Sequence, residues 1–252
     1  MQVGALQYAM AWRDPLANRQ LLDQTLQRLA TDYDLIVLPE MWSTGFTMEP
    51  AQVAEPMDGP SVEAMMGWAQ AYHCNVLGSL IISEDGRFYN RLISALPDGT
   101  LHLYDKQKLF SYAGENDQYT AGNHTMIYEY RGWRICPLIC YDLRFPRLSD
   151  RADYDVLIYT ANWPSTRAHH WNTLLRARAI ENQSYVIACN RAGIDGNDHQ
   201  YLGDSQVLDF QGERIDEEQA THSDEIVLMT SAILDIAQQK TYRDKLPFLL
   251  DK

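Results

Sequence analysis

A mixed α/β fold with both sheet faces covered is the class this sequence predicts. Short β-rich runs alternate with amphipathic helical patterns, and hairpins follow them. At 252 residues and 46% apolar content the chain can bury a substantial core. No Pro/Gly/Ser-rich linker, low-complexity tract or shift of composition divides it, so residues 1–252 read as a single domain.

Residues 3–10 (VGALQYAM) read as a strand, and residues 18–30 (NRQLLDQTLQRLA) as an amphipathic helix. A strand over 34–40 (DLIVLPE), a helix over 61–73 and a strand over 75–82 (NVLGSLII) follow. Residues 91–99 (RLISALPDG) end in a Pro-Asp-Gly turn signal, after which 101–106 (LHLYDK) returns to make a hairpin. Two strands flank Arg131-Gly132 within residues 125–142. Next come a strand over 155–163 (DVLIYTANW), a helix over 169–183 and a strand over 185–193 (YVIACNRAG). The runs QVLDFQGERI (206–215) and EIVLMTSAI (225–233) read as a last antiparallel pair with a Gln-Gly turn.

The net charge of −13 is spread along the chain and argues against a nucleic-acid partner. The N-terminal MQVGALQYAMAW has no basic region and no long apolar core, so it does not read as a signal peptide. No run approaches the roughly 20 apolar residues that span a bilayer. Cys74, Cys136, Cys140 and Cys189 are scattered without a CxxC pair, which suggests reduced thiols in a cytoplasm. Cys136 shares strand parity with Cys140 but reads as a packed residue, not a redox partner. Adjacent His169 and His170 diverge by about 100° on a helix and have no partner at zinc spacing, so no metal is expected.

One internal echo stands out. DYDLIVLPEMW (32–42) and DYDVLIYTANW (153–163) align without a gap, each an Asp-Tyr-Asp lead, an apolar strand and a Trp. This suggests two related halves, each delivering a residue (Glu40, Asn162) to a shared edge beyond the carboxyl ends of the strands.

Three apolar runs end in a residue able to do chemistry: DLIVLPE in Glu40, LHLYDK in Lys106 and CPLIC in Cys140. Together they supply a base, a cation and a nucleophile, as thiol-based acyl transfer requires. A free thiol has a pKa of about 8.5, so it needs a base at neutral pH. Glu40 is the expected general base, and Lys106 offsets charge at sulfur and donates to the oxyanion. The backbone N–H of Tyr141, one residue past the sulfur, is a second oxyanion donor. Asp142 and Arg144 are expected to pin the turn rather than touch substrate.

LPEMWSTGF, YDKQKLF and ICYDLRFP resemble, in order and spacing, the three motifs of the nitrilase superfamily of carbon–nitrogen hydrolases. The resemblance covers nearly the whole chain, including the VGALQY strand and a late GDSQVLDFQGE hairpin. It implies a four-layer α-β-β-α sandwich, a Glu40–Lys106–Cys140 triad, a thioester intermediate, and neither metal nor organic cofactor. It also implies that Glu115, in AGENDQYTAG, supports the site. Where many members carry His this chain has Lys108, an additional cation expected near the site.

PEMWSTGF, ANWP, HWNTLLRARAIENQSYV and NRAGIDG are most similar to the omega-amidase branch. That branch hydrolyses the side-chain amides of 2-oxoglutaramate and 2-oxosuccinamate to a 2-oxo diacid and ammonia. The far carboxylate of such a substrate needs a cation, for which Arg167 is the candidate, with Phe46, Tyr112 and Trp163 as pocket walls. The apolar stripe Trp171, Leu174, Leu175 and Ala179 reads as core or as a subunit interface. Relatives pair through such elements, so a homodimer or larger even assembly is expected. The competing readings are a deaminated-glutathione amidase, an N-carbamoyl hydrolase, a nitrilase, a non-catalytic binding protein or a redox sensor.

Overall fold

The structure, a computed structural model, describes residues 1–29, 33–150, 153–220 and 227–252. Its first half runs β1 (Gln2–Tyr8), α1 (Pro15–Leu29), β2 (Leu35–Val37), α2 (Pro60–Tyr72), β3 (Asn75–Glu84), β4 (Arg87–Ala95) and β5 (Leu101–Asp105). The short helix α3 (Glu115–Gln118), β6 (Tyr128–Tyr130), β7 (Trp133–Ile139), β8 (Val156–Ala161), α4 (Ala168–Asn182) and β9 (Tyr185–Asn190) follow. The chain ends with β10 (Ala192–Ile194), β11 (Gln200–Leu202), β12 (Gln206–Leu208), β13 (Glu217–Ala220), β14 (Val227–Ile233) and α5 (Ile236–Lys245).

Two sheets carry the fold. One has seven strands in the order β13-β14-β1-β2-β3-β4-β5, and the other five in the order β12-β9-β8-β7-β6. They pack face to face: the Cys189 thiol of β9 reaches the carbonyl oxygens of Leu6 and Val37, at 3.4 and 3.3 Å, in the opposite sheet. Strand alternation sorts β1, with Val3 and Ala5 turned to the core between the sheets and Leu6 and Tyr8 to the helices outside. Leu22 and Leu26 of α1 and Val62, Met65 and Ala69 of α2 meet those outward residues. On the other side Trp171, Leu175 and Ala179 of α4 join the central core, and Tyr242 of α5 packs 4.9 Å from Phe210. The layers are therefore α-β-β-α. Among the described residues no helix is long and apolar enough to cross a membrane.

The repeated Asp-Tyr-Asp strand has a structural counterpart, although Asp32 lies outside the described residues. The Asp34 N–H donates to the carbonyl of Gln2, its carboxylate accepts from the Gln2 N–H, and its carbonyl accepts from Asn75. Asp155 makes the same three bonds to Arg134 and Tyr185. Each aspartate thus clips the starts of three neighbouring parallel strands, β1-β2-β3 in one sheet and β7-β8-β9 in the other. Each echo then ends in a tryptophan packed at a tilt against a helix tryptophan, Trp42 on Trp68 at 5.5 Å and Trp163 on Trp171 at 5.4 Å.

The hairpins of β4 with β5 and of β6 with β7 form as the turn signals require. The expected last pair does not. Residues 206–208 pair with β9, and the Gln211-Gly212 turn closes a local hairpin through a Leu208–Arg214 bridge. Residues 227–233 pair instead with β1 and β13, in the other sheet (Glu225 and Ile226 lie outside the described residues). Adjacency along the chain suggested pairing, but the chain crosses between sheets at this point. Of the stripe on α4, Trp171, Leu175 and Ala179 are buried in the core, and Leu174 is partly buried against it.

Candidate active site

The carboxyl ends of β2, β5, β7 and β8 meet at one rim. Beyond β2 the chain stays bound to β3, with Leu38 N–H donating to Leu77 O and Met41 N–H to Ser79 Oγ, and this fixes Glu40. Lys106 follows β5 directly. Its N–H donates to Asn90 O, and its carbonyl accepts from the Gly122 N–H at 2.9 Å. A Cβ on Gly122 would stand 2.2 Å from Asp105 O, so only glycine permits this approach.

The Lys106 Nζ lies 2.8 Å from Glu40 Oε1 and 3.0 and 2.9 Å from the two Glu115 oxygens. All three side chains are fully or almost fully buried, so Glu115 is not an exposed loop acid. Its Oε2 also accepts from the Phe110 N–H. Asn90 Nδ2 donates to both carboxylates, at 2.8 Å to Glu40 and 3.2 Å to Glu115. The second Glu40 oxygen accepts from the Asn162 N–H at 2.9 Å, and Asn162 Nδ2 donates to the Glu40 carbonyl. The two residues singled out by the echo are therefore bonded to one another across the sheets.

Cys140 sits one residue past β7 with φ +43°, a left-handed conformation that a side chain rarely adopts. Asp142 holds this turn. Its buried carboxylate accepts from Ile139 N–H at 3.0 Å, Lys108 N–H at 2.9 Å and Tyr104 OH at 2.8 Å. The turn is thereby tied to the residues either side of Lys106. Burial pushes the Asp142 pKa up to about 6 despite those donors.

The Cys140 thiol lies beside Glu40 and Lys106, and its Sγ is 3.9 Å from Asn162 O. Burial, then the Glu40 charge, pushes the thiol well above its usual pKa, and Lys106 does not compensate. Burial favours loss of the Lys106 proton, but the Glu115 and Glu40 carboxylates outweigh it and hold the ammonium charged. The resting arrangement is thus a protonated sulfur next to a carboxylate and an ammonium. Such a set can transfer the thiol proton to the carboxylate as sulfur attacks a carbonyl. Alkylation of Cys140 by iodoacetamide, followed by peptide mass spectrometry, is therefore expected to accelerate continuously from pH 6 through pH 9. A plateau below pH 8 would mean a stabilised thiolate and contradict this electrostatic account.

A cavity of about 470 Å³ opens over the cluster. Glu40, Lys106 and Cys140 line it, as do Tyr141 and the expected walls Phe46, Tyr112, Trp163 and Arg167. Tyr112 is 88% exposed and so belongs to the rim. Glu115 stands behind Lys106, away from the lining. Two expectations need correction. Lys108 is exposed, with its Nζ 5.2 Å over the Phe145 ring, and lines no part of the cavity. Arg144 does not pin its turn. It lines the cavity, lies 4.7 Å over the Trp163 ring, and sits 3.1 Å from His170 Nδ1.

Asn90 and the β10–β11 hairpin, which brings Asp195, His199 and Tyr201 to the cavity, were not anticipated. An asparagine inside the strand RFYNRLISA was a usable signal. In the hairpin, Asp195 lies in NRAGIDG, which the family resemblance singles out without assigning it a role, whereas His199 and Tyr201 beyond it carry no signal. Among the described residues no group of three or more His, Cys, Asp or Glu is placed to hold a metal ion.

A sandwich whose shared rim gathers a thiol, a carboxylate and an ammonium under a small cavity has the make-up of a hydrolase. The chain belongs to the carbon–nitrogen hydrolase family, whose model matches residues 2–240, and so acts on carbon–nitrogen bonds other than peptide bonds. The omega-amidase YafV of Escherichia coli K12 is 45% identical, covering 98% of this chain and 94% of its own length. A 2-oxoglutaramate amidase of Bacillus subtilis 168 is 32% identical over 83% of each chain. The crystal structure of XC1258 from Xanthomonas campestris, a CN-hydrolase superfamily protein with an arsenic adduct in the active site, superposes with TM-score 0.94 at 38% identity. It covers 100% of this chain and 97% of its own. The resemblance read from the three motifs is correct.

Proposed function

We propose that the protein is an omega-amidase-type amidohydrolase that cleaves the side-chain amide of 2-oxoglutaramate or 2-oxosuccinamate, releasing ammonia. The observation that carries this reading is the buried Glu40–Lys106–Glu115 cluster beside Cys140 at the floor of a small-molecule cavity. The names borne by the Escherichia coli and Bacillus subtilis relatives support the substrate class.

Cys140 is the nucleophile. As sulfur adds to the amide carbon, its proton passes to Glu40, and the new oxyanion is met by the Lys106 ammonium and the Tyr141 N–H. Collapse of the adduct breaks the carbon–nitrogen bond, with Glu40 returning the proton to the departing ammonia. Water then attacks the thioester, giving a proton to Glu40. The carbon–sulfur bond breaks, and the proton returns to sulfur as the acid leaves. Glu115 keeps Lys106 charged and aimed. Arg167 binds the distant carboxylate, and Phe46, Tyr112 and Trp163 shape the walls.

We read residues 1–252 as one catalytic unit, since both sheets contribute to the site. Free cysteines without a disulfide agree with a cytoplasmic setting. The family resemblance also points to a homodimer or larger even assembly. Ammonia release from 2-oxoglutaramate, 2-oxosuccinamate, glutamine, a carbamoyl amino acid and a nitrile tests the assignment. The first two are expected to turn over fastest. Exclusive nitrile or carbamoyl turnover would overturn it.

A further inference from the structure

The cations around the cavity are not equivalent. Arg13 is neutralised by Glu49 at 2.8 Å, and Lys106 by its two glutamates. Arg144 and Arg167 also line the cavity, yet among the described residues neither pairs with a carboxylate. The nearby acid Asp195 is engaged by Asn197 N–H, His199 N–H and Tyr201 OH. In a chain with 34 acidic residues, two guanidiniums facing one cavity without a carboxylate partner make that side of the cavity suited to an anionic group.

Both guanidiniums lie over aromatic walls, Arg144 at 4.7 Å from the Trp163 ring centre and Arg167 at 5.5 Å from that of Phe110. Trp163 links them, because its Nε1–H donates to the Arg167 carbonyl at 2.8 Å. The ring itself is fixed by its own backbone N–H, which donates to Asn190 Oδ1. Arg144 belongs to the same Asp142-braced turn as Cys140, four residues on, so its backbone is anchored beside the nucleophile. Its contact with His170 uses Nη2, so other N–H groups of the fork remain to donate.

Resting on the amidase reading above, we propose that Arg144 is a specificity-determining residue. It donates to the 2-oxo oxygen of the substrate while Arg167 takes the adjoining carboxylate. The order follows from connectivity. In a 2-oxo acid amide the ketone lies between the amide carbon, held at Cys140, and the carboxylate, and Arg144 is the guanidinium anchored in the Cys140 turn. The same pair selects against the corresponding amino acid amide. Glutamine carries an ammonium where the 2-oxo acid carries an acceptor, and two unpaired guanidiniums repel it.

The test compares kcat/KM for 2-oxoglutaramate with that for glutaric acid monoamide, which keeps the carboxylate and chain length but lacks the ketone. The wild-type protein is expected to prefer 2-oxoglutaramate, and Arg144→Gln to cut that ratio about ten- to a hundredfold, the range for one charge-assisted hydrogen bond. Arg167→Gln is expected to depress both substrates together and leave the ratio nearly unchanged. A ratio cancels any loss of folded protein. Should Arg144→Gln not fold, Arg144→Lys, which keeps the charge but not the fork, should show a smaller fall. A preference that survives in the Arg144 variants overturns this inference alone. A wild-type protein without that preference overturns the inference and the substrate class together.

Discussion

Replacing Cys140 by alanine is expected to abolish ammonia release from every amide the wild-type protein hydrolyses, a loss of at least about 10⁴-fold. In the proposed mechanism the sulfur forms the only covalent bond to substrate, and no other lining residue offers a comparable nucleophile. The fold should survive. Cys140 is only partly buried, and its sulfur makes a single long contact, 3.9 Å to Asn162 O. The turn is held by the Asp142 carboxylate, which the substitution leaves untouched. Alanine has the same Cβ as cysteine, so the positive φ becomes no harder to adopt. Two measurements check this. Denaturing mass spectrometry of wild-type protein mixed with substrate should show an acyl mass on the Cys140 peptide, absent from the variant. Thermal melting should shift by no more than a few degrees. Retention of full amidase activity in Cys140→Ala would falsify the covalent route.

The proposed reacting groups were legible because each stands just past an apolar strand, where the side chain leaves the sheet. Glu40 and Cys140 follow parallel strands and Lys106 an antiparallel edge strand, and the two residues that the Asp-Tyr-Asp echo singled out, Glu40 and Asn162, meet at one rim. What failed were expectations about where individual side chains and strands go once the chain folds. Lys108 was expected near the site because many members of the family carry His there, but β5 ends at Asp105, and the chain then turns Lys108 outward over Phe145. Arg144 and Asp142 looked alike as turn residues. Only Asp142, short and acidic, can collect the three nearby donors, whereas the long Arg144 side chain leaves the turn and reaches Trp163. Asn90 was passed over because its partners Glu40 and Glu115 are brought to it by tertiary folding, 50 and 25 residues away along the chain. Pairing of the last strands was misread for the same reason, since which sheet a strand joins is a long-range matter.

Lys106→Met should be the most damaging substitution to both activity and stability. Lys106 is 1% exposed, with Glu40 and Glu115 both fully buried beside it. Removing the ammonium leaves two buried carboxylates that share the Asn90 amide and have no counter-charge, a defect of about 3–5 kcal/mol. One carboxyl group must then take up a proton in the folded protein. The folded state consequently binds more protons than the unfolded one, so the variant should be least stable at alkaline pH and recover as pH falls toward 5. The compensating change follows from the same arithmetic. Adding Glu115→Gln to Lys106→Met leaves one carboxylate, still served by the Asn90 amide and the Asn162 N–H. The double variant is expected to regain at least half of the lost stability in urea titrations at pH 8, yet to remain inactive, because the oxyanion still lacks its ammonium. A double variant no more stable than Lys106→Met would show that charge balance is not what holds this cluster together. Recovery of turnover along with stability would show that the ammonium serves the fold alone.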